Sequence, residues 1–218
     1  MSDLRSFIRG CGISLILGGV LTVIINAFLT PFLPVNQTAN VMVTNVFLVR
    51  QIASGFAAFF LLLGTIGLHL AQRSRSGWFG SLAFIIAFIG GGLLLSVEFA
   101  DVFVLRAVAQ IAPQTADALD KSSLLNTGFA LAIGFFALGW LLMAINAWKT
   151  KLLPRWAAIT TFAGLFLISI LQALFGIGGA IIGNAVFGAG LIGLGWALVA
   201  ERYSNEAAYD FGSLKKSG

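Results

Sequence analysis

The chain is poor in charge, cysteine and histidine, and each shortage removes a class of function. Only 10% of its 218 residues are charged, against roughly a quarter in soluble domains. With 59% hydrophobic residues and a mean hydropathy of +0.98, the medium around most side chains is expected to be lipid, since no soluble fold hides that much apolar surface. The single Cys11 cannot form an intrachain disulfide. One cysteine and one histidine also cannot supply zinc, iron–sulfur or bis-histidine haem ligation, so no metal and no cofactor is expected. No lysine falls inside an apolar run, which leaves no attachment point for a Schiff-base chromophore. No glycine loop ends in the Lys-Ser or Lys-Thr of a phosphate cradle. The one histidine, His69, is predicted at the opposite end of its helix from the carboxylates considered below, so Ser/His/Asp chemistry lacks its base. The chain is not expected to be an enzyme.

The net charge of +5 does not point to nucleic acid, because the thirteen Lys and Arg are scattered singly between apolar runs. That is the pattern of topology signals rather than of a basic face. Nor does the chain show the alternation of a membrane barrel, so its spanning elements should be helices.

The expected architecture is all-α: one domain over 1–200 with six transmembrane helices at about 10–33, 47–71, 78–105, 124–148, 156–175 and 180–200, then a polar tail over 201–218. Arg5 and Arg9 ahead of the first run resemble a signal peptide, but the run exceeds 20 residues, whereas a cleaved core is about 7–15. Pro31 and Pro34 end it. The loop that follows carries an Asn36-Gln-Thr38 sequon, read as coincidental so close to a helix end. The stretch 106–123 is the one long connection, and Pro113 with its apolar neighbours predicts a short helix at the interface. Six spans put both termini on one side. Arg5, Arg9, Arg73, Arg75, Lys149, Lys151, Arg155, Arg202, Lys215 and Lys216 fall on that side, against Arg50, Arg106 and Lys121 on the other. By the positive-inside rule both termini are cytoplasmic, with Trp78, Trp148 and Trp156 at the membrane boundary.

Two carboxylates interrupt the third run. Glu98 and Asp101 are three residues apart, which places them on one helix face with Cβ atoms roughly 5–6 Å apart. Glu98 should lie on the order of 10 Å inside the outer helix end. A carboxylate at that depth is protonated, paired with a cation, or facing water. Arg50 is predicted at a comparable level and Arg106 about one turn above. Asn26, Asn126, Gln172 and Asn184 fall in the outer third of their own helices, so every span contributes a polar group at one level. The other ends hold little beyond Ser, Thr, His69 and Asn146. This asymmetry predicts an outward-facing polar cavity over a dry floor, with Glu98 and Asp101 as anionic groups, Arg50 and Arg106 as counterions, and the four amides as neutral lining. Such a cavity suits a small polar or cationic ligand or a lipid headgroup, in a transporter-like or sensor-like protein. An ion pair from Arg50 to Glu98 or Asp101 that merely ties two helices together fits the same residues.

Glycine accounts for 26 residues. Gly179, Gly183 and Gly190 give the last helix a side without bulk, suited to close packing in lipid. That side could pack within the bundle or form the seam of a homo-oligomer or a membrane partner, the alternative being a structural or accessory subunit. The hairpins around Arg73-Ser-Arg75…Trp78 and Lys149-Thr-Lys151…Trp156 look alike and hint at a repeated unit, although the second lacks an acidic pair.

The segment Lys149-Thr-Lys-Leu-Leu-Pro-Arg-Trp156, the apolar Ala157–Gly164 and the later Gly193-Leu-Gly-Trp-Ala-Leu-Val199 together resemble a group of uncharacterised bacterial multi-pass membrane proteins with a Leu-Pro-Arg-Trp cytoplasmic turn. The resemblance covers the last third of the chain. It implies a prokaryotic cytoplasmic membrane and supports six helices, and it implies no activity.

Overall fold

Proline stands only at the edges of the apolar runs, so nothing breaks the helices from within by removing a backbone donor. The structure, a computed structural model, describes residues 2–33 and 38–200, and helix is the only regular structure among them. The Asn36 sequon and the 201–218 tail lie outside the described residues.

Helix α1 (Ser2–Ile24) continues through a π-helical turn, Ile25–Leu29, and a 3₁₀ turn, Thr30–Phe32. A short α2 (Ala39–Met42) leads to α3 (Asn45–Ala100), which runs through a second π-helical turn, Asp101–Leu105, into α4 (Arg106–Ile111). Then come α5 (Pro113–Asp120), α6 (Ser123–Thr150) and α7 (Arg155–Val199). Thr44 and Ser122 cap α3 and α6, each accepting from a backbone N–H three residues on at 3.2 Å, which satisfies donors the helix leaves free. Four helical stretches, Asp3–Phe32, Asn45–Ile111, Ser123–Thr150 and Arg155–Val199, are long and apolar enough to cross a membrane.

Two of the four double back. Gly77 (φ 55°, ψ −157°) interrupts α3 and Gly176 (φ 59°, ψ −138°) interrupts α7, in a backbone region open essentially to glycine alone. Across Gly77, Gly91 packs on Leu62 and the His69 ring stacks on Phe84 at 4.5 Å; a straight helix would hold residues 62 and 91 about 40 Å apart. Across Gly176, Gly164 packs on Phe187 and Gly183 on Ile168. The first turn is tighter than expected: helix persists through Ser76, so Gln72 belongs to the helix and not to a loop. The two look-alike basic hairpins also differ, because the second closes over residues 151–154 after a left-handed Lys151 (φ 58°).

Glycine sets the closest approaches. In α1, Gly18 packs on Leu61 and Gly19 faces the Gly188 carbonyl. Residues 78–100 meet α6 where Gly90 lies on the backbone of Phe135 and Phe136 and Gly139 on that of Ala87. Gly179, Gly183 and Gly190 are buried against Leu171, Ile168 and Thr161 of the same chain. This side of the last helix therefore packs within the chain, because the fold-back at Gly176 brings 155–175 onto it. The main core gathers Leu15, Leu61, Leu68, Trp140, Met143 and Leu191. A smaller apolar cluster at one end joins Leu33, Met42, Phe47, Leu105, Ala109 and Ala116. The exterior is apolar too, with Phe28, Phe103, Leu131 and Leu174 all more than half exposed.

Lys151 is the only non-glycine residue with positive φ among those described. Left-handed backbone costs an L-residue about 1–2 kcal/mol, so Lys151→Gly is expected to raise stability by up to about 1 kcal/mol, read as a higher midpoint of thermal unfolding in mild detergent.

Candidate functional site

Along both halves of α3 a polar level separates the two apolar clusters. Phe47 belongs to the smaller cluster, Arg50 and Gln51 follow within about one turn, and Leu61 is already in the main core. On the return, Ala87 is in the main core, Glu98 and Asp101 follow, and Leu105 rejoins the smaller cluster. The two π-helical turns stand at this same level, one containing Asn26 and the other beginning at Asp101. A π turn inserts a residue into the helix and re-aims the side chains around it, and such turns are frequent at functional sites.

A cavity of about 170 Å³ lies at this level. Its polar lining is Thr22, Asn26, Arg50, Ser54, Glu98 and Asn184. Its apolar lining includes Leu61, Leu94, Phe136, Ile168 and Phe187. Each arm of the two doubled helices contributes, and so do α1 with its π turn and α6. Gly55 leaves room beside the carboxylate, since a methyl group there would sit 3.8 Å from Glu98 Cβ.

The ionised groups are organised unequally. Arg50 Nη1 donates to Gln51 Oε1, and Gln51 Nε2 donates to Asp101 Oδ2. Gln51 and Asp101 are 2% and 5% exposed, so this relay is a buried tie between the two arms of α3. Glu98 has Arg50 and Asp101 as its charged neighbours. Its Oε2 is nonetheless buried without a hydrogen-bond partner among the described residues, as is Arg50 Nε, although buried polar atoms are normally satisfied.

Of the eight residues expected to form the site, Asn26, Arg50, Glu98 and Asn184 line one cavity, and Asp101 joins it through Gln51. Three do not. Arg106 Nη1 donates to the carbonyls of Met42 (3.0 Å) and Thr44 (2.6 Å), closing the end of α2 outside the cavity lining. Asn126 and Gln172 lie on exposed faces of their helices, outside the cavity lining. The smaller apolar cluster lies beyond Gln51 and Asp101 along the two arms of α3, pinned by Arg106 and by Asp117 Oδ1 accepting from Ala39 N at 2.7 Å.

Gln51 was missed by the sequence reading, and its only signal was a second polar residue beside Arg50 in an apolar run. Also missed was a second polar cluster near the Gly77 turn. There Asn146 Nδ2 donates to Gln72 Oε1 (2.9 Å) and Ser76 Oγ (3.0 Å), and Thr150 donates to the same Gln72 oxygen (3.3 Å). That end is therefore more polar than expected, and the cluster fastens the first arm of α3 to α6.

Among the described residues no group of His, Cys, Asp and Glu could hold a metal ion. No family model, curated protein or solved structure matches this chain.

Proposed function

We propose that this is a prokaryotic cytoplasmic-membrane protein of six spans, with both termini inside, that binds a small polar or cationic ligand in its central cavity as a transporter-like or sensor-like module. The observation that carries the reading is Glu98, a carboxylate with a partnerless buried oxygen on the wall of a 170 Å³ cavity. Ionisable groups at membrane depth are costly and tend to be retained where they act. The span count rests on the fold-backs at Gly77 and Gly176. The orientation rests on ten basic residues on the terminal side against three opposite, and the likeness of the Leu153-Pro154-Arg155-Trp156 turn to bacterial membrane proteins supports the membrane assigned. The reading as an accessory subunit docked through the last helix is weaker, since that helix's glycine side is already covered.

Purified protein in mild detergent should gain thermal stability with at least one member of a panel of cations, amines, zwitterions, neutral metabolites and lipids, because a ligand that binds only the folded state stabilises it by mass action. A hundredfold excess over Kd corresponds to about 2.7 kcal/mol. Glu98→Gln should abolish that gain. A panel that shifts neither protein would return Glu98 to a structural role.

A further inference from the structure

The donors and acceptors left over in the cavity specify what kind of molecule it takes. Asn26 Nδ2 donates to Thr22 O at 2.8 Å, and Asn184 Nδ2 donates to Ala180 O at 2.9 Å. A backbone carbonyl can only accept, so each amide nitrogen must be the atom turned to its own helix, and each Oδ1 is the atom left for another partner. Thr22 Oγ1 spends its proton on Gly18 O at 2.9 Å, which leaves its lone pairs. Together with Glu98 Oε2 these make four oxygen acceptors on one small cavity, against one unfilled donor, Arg50 Nε. The charge is unbalanced in the same direction. Two carboxylates, Glu98 and Asp101, share the level with one guanidinium on the cavity wall, that of Arg50, which donates to Gln51 and is a charged neighbour of Glu98; Arg106 is outside the lining and donates to the carbonyls of Met42 and Thr44. The rest of the lining is apolar and partly aromatic, with Leu61, Leu94, Phe136 and Phe187. At 170 Å³ the space far exceeds a bare ion and is close to the roughly 150 Å³ engineered cavity that admits benzene.

We propose that the cavity takes an amphipathic monocation, a protonated primary or secondary amine whose N–H groups meet Glu98 Oε2, Asn26 Oδ1 and Asn184 Oδ1 and whose apolar body, about the size of one six-membered ring, lies against Leu61, Phe136 and Phe187. This rests on the reading of the cavity as a ligand site and adds the class of ligand. The excess of acceptors calls for a ligand rich in donors, the carboxylate oxygen without a hydrogen bond favours a positively charged one, and the apolar floor calls for a carbon skeleton that ammonium and alkali ions lack.

The test is isothermal titration of the full-length protein in mild detergent with benzylamine, benzyl alcohol, benzoate, phenylalanine and ammonium chloride. Wild type is compared with Glu98→Gln and with Asn184→Ala, whose side chain bonds only its own helix. The expected result is benzylamine bound at least tenfold more tightly than any of the others, that preference falling at least tenfold in Glu98→Gln and severalfold in Asn184→Ala. Because the amine partitions into micelles equally in all three samples, the variants correct for it. Tighter binding of the alcohol, acid, zwitterion or ammonium, lost in Glu98→Gln, would overturn the amine and leave the ligand site standing. No Glu98-dependent binding of any of the five would overturn the amine, and if the broader ligand panel were equally silent, the ligand site with it.

Discussion

Gly90→Ala and Gly139→Ala are each expected to lower stability by about 1–3 kcal/mol, the usual cost of forcing extra carbon into a packed interface. The cause is contact with backbone rather than with side chain. A methyl at Gly90 would overlap the backbone of Phe135 and Phe136, and one at Gly139 would overlap Ala87 N and Cα. A side-chain neighbour can change rotamer, but here the whole of α6 must withdraw from residues 78–100. The two sites are a turn apart on the same crossing, so one withdrawal relieves both. The double variant should therefore cost less than the sum of the singles by about 0.5 kcal/mol or more, as coupled neighbours do. Gly92→Ala and Gly134→Ala provide the control on the same helices, for nothing lies within 4 Å of a methyl at either, and alanine is the better helix former by about 1 kcal/mol. Urea or thermal unfolding in mild detergent separates the two pairs. Equal behaviour of Gly90→Ala and Gly134→Ala would mean that the two helices do not approach as described.

That contrast between glycines marks what the sequence could and could not reveal. Composition and run length made the all-helical architecture legible, because an apolar run without proline has few other ways to satisfy its backbone in lipid. Turn positions were legible at Gly176, where three glycines crowd together, but blurred around Gly77, where Arg73, Ser74 and Arg75 read as loop and fold as helix. The level of the polar site was legible from Asn26, Arg50, Glu98, Asp101 and Asn184, whose distances from the run ends agree. Azimuth was not. Asn126 and Gln172 stand near the same predicted level and point elsewhere, since α6 and the first arm of α7 turn Phe136 and Ile168 to the cavity instead. The π turns at Ile25–Leu29 and Asp101–Leu105 shift that azimuth locally, and no residue pattern announces them. The carbonyl contacts of Arg106 were not legible for a related reason: with α2 unforeseen, Met42 and Thr44 could not be placed beside the guanidinium.

Asp101 and Glu98 look equivalent in sequence, and the largest difference expected of any two substitutions here is between them. Asp101→Leu should destabilise by about 1–3 kcal/mol, because it leaves the buried Gln51 amide donor without its acceptor. The bridge that Gln51 makes between Arg50 and the second arm of α3 would be broken. The double variant Asp101→Leu/Gln51→Leu should then be more stable than Asp101→Leu alone, since it removes the unsatisfied amide as well. Glu98→Gln should move stability by less than about 1 kcal/mol, or raise it. Glu98 Oε2 has no hydrogen bond to lose, and a neutral amide is cheaper to bury than a carboxylate. Unfolding midpoints of the four proteins decide the matter. If Glu98→Gln were as damaging as Asp101→Leu, Glu98 would be the fastening between the arms of α3 and its free oxygen would carry no argument for a ligand. The expected order instead separates the two roles on one helix face: Asp101 holds the arms together through Gln51, and that frees Glu98 to present an unspent carboxylate to the cavity.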